Sequence, residues 1–307
     1  TKDMERAIEI DPGLALAYRL RGSMRMARRN MDGAIEDFTR AIEIEPLDYQ
    51  AYIGRSQVRK RKGEIEKTIR DLNRAIKIQP TISQSYYFRG QARQAKTDLE
   101  GAIEDFTRAI KIDSTNALYY THRGVARRAK GDLKESIQDF DRAIEIDPRS
   151  AEAYSGRGVI YCDHLNDFER AIVDFTRAIE IDPHLFRAYL NRGVAHFKKG
   201  NLENAIKDWT RTIHLAPRTA KAYYLRGLAL QAKVDLDGAI EDYSRSIEVD
   251  PRHAHSYRCR ANVHAAQGDL QAAIADYEKT LQITPANWHY RKMIESNLEK
   301  IRKKLSE

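Results

Sequence analysis

Cysteine is nearly missing from this 307-residue chain, which has only Cys162 and Cys259. So low a count argues against a disulfide framework and suits a reducing compartment, which favours a cytoplasmic location. No stretch reaches the roughly 18 consecutive apolar residues of a membrane-spanning helix, so no membrane insertion is expected. The first residues lack the pattern of a secretory signal, and the chain opens on Thr1 rather than Met, which reads as a fragment or a processed product. No low-complexity tract or linker interrupts it. Acidic residues fall short of basic ones, 45 against 53, for a net charge of +8. That excess points to anionic partners but says nothing about fold. With 32% charged residues and a mean hydropathy of −0.66, a soluble chain is expected.

What the chain does contain is one phrase many times over. AIEDFTRAIEIEP at 34–46 returns as AIEDFTRAIKIDS at 102–114 and AIVDFTRAIEIDP at 171–183, with looser copies at 136–148 and 239–251. Prolines stand at 12, 46, 80, 148, 183, 217, 251 and 285, with Ser114 in the one vacant slot, so the period is 34 with a single step of 35. The extra residue lies in YCDHLNDFE, 161–169. Each period holds two helix-length stretches. Asp-Pro ends the second, because proline cannot continue a helix. Gly-Asp or Gly-Asn at 131–132, 200–201 and 268–269 ends the first and caps the next.

Framed as 15–48, 49–82, 83–116, 117–150, 151–185, 186–219, 220–253 and 254–287, the copies share fixed columns. The fourth position is always tyrosine: Tyr18, Tyr52, Tyr86, Tyr120, Tyr154, Tyr189, Tyr223 and Tyr257. The eighth is small (Gly22, Ser56, Gly90, Gly124, Gly158, Gly193, Gly227, Ala261), as is the twentieth, for example Ala34, Ala102 and Ala205. Position 24 is large: Phe38, Phe106, Phe140, Phe175, Trp209, Tyr243 and Tyr277. Small residues let two helix backbones approach, and the rings fill the space beside the crossing. Position 7 is arginine throughout, from Arg21 to Arg260, and position 23 is aspartate throughout, from Asp37 to Asp276. Because the two columns recur together, they are expected to pair and lock the helices of a hairpin. A second arginine column, Arg25, Arg59, Arg93 and Arg127 at position 11, reads either as an anion-binding strip or as caps on helix C-termini.

This arrangement resembles the tetratricopeptide repeat (TPR) family over residues 1–287. The resemblance implies an all-α fold, a right-handed superhelical solenoid of stacked antiparallel helix pairs. On this reading 1–14 is the second half of a truncated repeat, so the native protein would extend upstream. Residues 15–287 are eight repeats, and 288–307 is a C-terminal capping helix with an apolar stripe of Met293, Ile294, Leu298, Ile301 and Leu305.

In the family the first helices line a concave groove, which implies inward positions 2, 5, 9, 12 and 13. There the basic residues are Arg19, Lys60, Arg61, Arg128, Arg187, Lys198, Lys221 and Arg258, against Glu152 and Asp163 alone. Glutamines gather in the second and third repeats as Gln50, Gln57, Gln84, Gln91 and Gln94, and Tyr87, Tyr224 and Phe197 add rings. Asn191 with Lys221, and Arg258 with Asn262, match parts of the family's carboxylate clamp. Ser155, Val159 and Leu225 break it, so a chaperone-tail clamp is not expected. Glutamine amides suit an extended backbone, and the cations suit an acidic partner.

No catalytic constellation survives placement. Cys162, Asp163 and His164 are adjacent and so diverge on a helix. His255 and Cys259 fall short of a metal ligand set. No glycine-rich phosphate loop is present, so neither an enzyme nor a cofactor is expected. The sequence therefore reads as a protein–protein interaction scaffold binding an extended acidic peptide segment. The alternative is a targeting or regulatory module of a larger protein whose catalytic part lies elsewhere. A nucleic-acid binder is disfavoured, because the arginine strip lacks interleaved aromatics. The oligomeric state and the partner's identity are not legible.

Overall fold

The computed structural model describes residues 2–306, which form helices and turns with no strand among them. The chain divides into two compact units, one up to Gly156 and one from Arg157 onward. The first holds α1 (Lys2–Ile10), α2 (Ala15–Ala27), α3 (Met31–Ile44), α4 (Tyr49–Arg61), α5 (Ile65–Ile78), α6 (Ser83–Ala95), α7 (Leu99–Ile112), α8 (Ala117–Lys130) and α9 (Leu133–Ile146). The division falls within α10 (Ala151–Asp163). The second unit continues with α11 (Phe168–Ile181), α12 (Phe186–Lys198), α13 (Leu202–Leu215), α14 (Ala220–Ala232), α15 (Leu236–Val249), α16 (Ala254–Gln267), α17 (Leu270–Ile283) and α18 (Arg291–Ser306).

Local chemistry sets the helix ends. Asp98, Asp167, Asp235 and Asp269 each accept the backbone N–H three residues on, at 3.0–3.1 Å, satisfying a donor that the first turn leaves unpaired. The residue just before this capping slot takes a left-handed conformation to turn the chain. It is glycine at Gly63, Gly131, Gly200 and Gly268 but Arg29, Thr97 and Val234 in other hairpins. Val234 holds φ 63°, which a β-branched side chain resists. Val234→Gly is therefore expected to raise stability by about 1 kcal/mol. A denaturant melt of the full chain in which the variant is no more stable would show that the turn is not strained.

Packing is hairpin on hairpin. Second helices plant an aromatic side chain against the small residue of their first helix, except α5, which has Leu72 in that place, and Trp209, Tyr243, Phe38, Phe106, Phe140 and Phe175 are all fully buried. The approach is close enough that a Cβ on Gly193 would stand 2.6 Å from Trp209 Nε1, which donates to the Leu190 carbonyl at 3.1 Å. Within the first unit α2 meets α4, α4 meets α6 and α6 meets α8; within the second α12 meets α14 and α14 meets α16. First helices thus touch first helices and form the inner side of each unit. At the end of the chain Ile294, Leu298 and Ile301 bury against Ala273 and Tyr277 of α17. Met293 and Leu305 of the expected stripe stay exposed; Met293 sits one helical residue, about 100°, off its line.

Candidate functional site

The arginine and aspartate columns meet as expected. Arg21 reaches Asp37, Arg123 reaches Asp139 and Arg226 reaches Asp242 through a two-pronged guanidinium–carboxylate contact, with Nη2–Oδ1 distances of 2.6–2.7 Å. The remaining guanidinium nitrogen crosses to the preceding hairpin: Arg55 to Thr39, Arg89 to Asn73, Arg123 to Thr107, Arg192 to Thr176, Arg226 to Thr210 and Arg260 to Ser244, at 2.7–3.1 Å. Arg21, Arg55, Arg89, Arg123, Arg192 and Arg260 also lie over the tyrosine three residues before them, at 5.4–5.8 Å from the ring centre. One side chain therefore ties a hairpin internally and to its neighbour.

The position-11 arginines do not stand open as an anion strip. They lie in the last turn of α2, α4, α6 and α8, where a cation is favoured, and they have a further partner. Arg25, Arg59, Arg93 and Arg127 reach the second oxygen of the same buried aspartates, at 2.7–3.2 Å from Asp37, Asp71, Asp105 and Asp139. Arg25 and Arg93 also donate to the Gly33 and Gly101 carbonyls. A carboxylate has lone pairs enough for two guanidiniums, which single-column counting overlooks. The flanking lysines are likewise paired, Lys62 with Asp32, Lys96 with Glu66 and Lys130 with Glu100.

The inner side of the first unit carries a polar cluster built from α4, α6, α7 and α8. Lys60 Nζ donates to Gln91 Oε1 at 2.5 Å. Gln91 Nε2 then faces Tyr87 Oη at 2.7 Å and His122 Nε2 at 3.3 Å. With its oxygen engaged by lysine, the Gln91 amide presents hydrogens to both, so His122 Nε2 is the acceptor and the ring proton sits on Nδ1. Rings close around the cluster: Tyr87 lies 5.0 Å from Tyr119, 5.2 Å from His122 and 6.0 Å from Phe106. Burial, with the Lys60 charge second, pushes His122 down to about 4, and burial pushes the Tyr87 phenol up to about 12. Burial also lowers Lys60.

Beside this cluster, Arg19, Gln50, Gln57 and Gln84 surround one recess. Arg19 is not free, since its Nε lies 2.9 Å from Asp48. Gln94 is half-buried farther along α6, and Arg128 is half-buried on α8. In the second unit the expected residues are less gathered. Arg187, Lys198 and Lys221 are exposed, Arg187 over the Phe186 ring at 5.8 Å, and Asn191 is half-buried. Tyr224 belongs to a ring cluster with His253, His255, Trp288 and Tyr290. Arg258 stacks on Tyr290 at 4.3 Å, and Asn262 accepts from the Tyr277 hydroxyl at 2.6 Å, so both are engaged by their own unit. Cys162 is buried and its thiol is pushed up to about 12, while Asp163 and His164 are exposed.

Reading the sequence missed His122 and Tyr119, and it missed Trp288 and Tyr290 as neighbours of Arg258. His122 occupies position 6, a column with no fixed residue type from copy to copy. Trp288 and Tyr290 lie beyond the last repeat, where no phase assigns a face.

Family models described as TPR repeat match residues 126–163 and 164–200, and models described as tetratricopeptide repeat match 83–116, 190–248 and 224–287. Together they account for more than half of the chain. The chain belongs to the tetratricopeptide repeat family. Among solved structures with a similar TPR fold, a tetratricopeptide repeat protein from Parabacteroides merdae is 19% identical with a TM-score of 0.59, over 83% of this chain and 98% of that one. The Cut9–Hcn1 hetero-tetramer of APC/C gives 17% identity and a TM-score of 0.65, over 96% of this chain and 56% of that one. PilW, a type IV pilus biogenesis factor, gives 20% identity and 0.64, over 69% and 98%. At these identities the likeness concerns the TPR fold alone. No curated protein matches the chain by sequence.

Proposed function

We propose that this TPR chain is a protein–protein interaction scaffold whose first unit holds an extended, acidic segment of a partner along its first helices. Family membership supports the scaffold role. The observation that carries the acidic preference is Lys60: a half-buried ammonium whose one hydrogen-bond partner among the described residues is a neutral amide, Gln91. A charge held out of water without a counter-ion is costly, and a ligand carboxylate would relieve that cost. The neighbouring glutamines offer donors and acceptors to a peptide backbone. The exposed cations Lys198 and Lys221 of the second unit would speed encounter rather than fix the pose.

The test is calorimetric titration of the full chain with synthetic acidic peptides and their amidated, neutral counterparts. Lys60→Gln is expected to weaken acidic-peptide binding about tenfold, the value of one charge-assisted hydrogen bond, and to leave neutral peptides unaffected. Lys60→Glu should abolish it. Equal binding of acidic and neutral peptides, or capture only of nucleic acid with a steep salt dependence, would overturn the proposal.

A further inference from the structure

The recess beside the Lys60 cluster has a chemistry of its own. It measures about 310 Å³ and lies among α2, α4 and α6. Its apolar lining comes from Met26, Phe38, Ile53 and Ile82, while Gln50, Gln57 and Gln84 supply the polar part. Position 6 carries a side chain in most repeats, such as Leu20, Phe88 and Leu225, but is glycine at Gly54. An added Cβ there would stand 2.5 Å from the Phe38 ring, so the ring packs directly on the α4 backbone and both residues line the recess.

The spacing to Lys60 is set by helix geometry. Gln57 precedes Lys60 by three residues on α4, a displacement of roughly 5 Å at about 1.5 Å per residue. An extended strand advances about 3.3 Å per residue, so this separation falls between one and two residues of ligand. Side chains two apart on a strand point the same way.

We infer that the recess is the specificity subsite of the first unit: it takes an apolar side chain of leucine size from an extended partner segment whose carboxylate, two residues away, meets Lys60. The inference rests on the peptide-binding reading above and adds what that reading leaves open, the requirement for an apolar residue in fixed register. Charge complementarity at Lys60 orients the segment, and the amides at the recess meet its backbone on either side of the inserted side chain.

The probe is a short capped peptide with one leucine and one aspartate two residues apart in a glycine–serine background. Three companions accompany it: leucine replaced by serine, aspartate by asparagine, and the spacing changed to one residue. The full chain is titrated with each, as are two variants, Ser23→Phe, which fills the recess from an exposed wall position, and Lys60→Gln. Replacing leucine by serine is expected to weaken binding at least about tenfold, matching the burial of one leucine side chain. Changing the spacing should cost as much. Ser23→Phe should abolish the leucine preference while leaving the melting of the chain and the aspartate preference in place. If the aspartate matters and the leucine does not, the groove reading stands and the recess assignment is wrong. If neither matters and Lys60→Gln changes nothing, the groove reading itself fails.

Discussion

Asp139→Ala is expected to destabilise the chain by about 3–5 kcal/mol, among the largest effects of any single substitution. Asp139 is 3% exposed and receives Arg123 Nε at 3.0 Å, Arg123 Nη2 at 2.6 Å and Arg127 Nη1 at 2.7 Å. Truncating it leaves two guanidiniums facing each other with no anion between them, and Arg123 is 13% exposed, too enclosed to turn freely to water. The same guanidinium also holds Thr107 of the preceding hairpin and lies over Tyr120, so a displaced Arg123 loosens the junction as well as its own hairpin. In a stacked array stability is the sum of hairpin and junction terms, and this substitution acts on both. Asp139→Asn keeps the shape and one acceptor and should fall between wild type and alanine. A denaturant melt reads the difference. A loss under about 1 kcal/mol for Asp139→Ala would mean that the arginines escape to solvent and that the network is marginal.

That network was legible before any coordinates because the chain is its own alignment: position 7 and position 23 hold their residues in every copy, so the pairing of Arg21 with Asp37 or Arg260 with Asp276 follows from repetition. The aromatic column and its small partners were legible for the same reason. What repetition cannot show is how many partners one group takes. The position-11 arginines read either as an anion strip or as caps on helix C-termini, and only geometry shows the second carboxylate oxygen facing them. Nor does repetition reveal a close approach. The Phe38 ring packs directly on Gly54 at the recess, and among other turn and packing glycines Gly54 carried no signal. Trp288 and Tyr290 fall outside the periodic part, so their stacking on His255 and Arg258 had no register to predict it.

Acid should weaken the first unit through His122. Its folded value is near 4 against an ordinary 6.5, the cause being burial first and Lys60 second. The unfolded chain therefore binds this proton more readily than the folded one. The stability contributed by neutral His122 is fully present above about pH 6.5 and is lost as pH falls through the interval down to about 4. The full interval corresponds to a loss on the order of 2–3 kcal/mol. Groups facing the ring are Tyr87 and Gln91 from α6, Phe106 from α7 and Lys60 from α4; none is an anion that could welcome the proton. The hydrogen-bond logic points the same way. Protonated His122 has only donors, so Gln91 would have to turn its oxygen toward the imidazolium. Turning it would bring the amide nitrogen to Lys60 Nζ, where two donors would meet. Either bond can be kept, not both. Unfolding free energies of wild type and His122→Gln at pH 7 and pH 4.5 isolate the effect from His196, His253 and His255, which burial also lowers. The wild type is expected to lose about 2 kcal/mol more than the variant between the two pH values. Equal losses would mean that His122 is wet enough to take its proton without cost, and that the Lys60–Gln91–His122 chain is not the rigid element on which the binding reading depends.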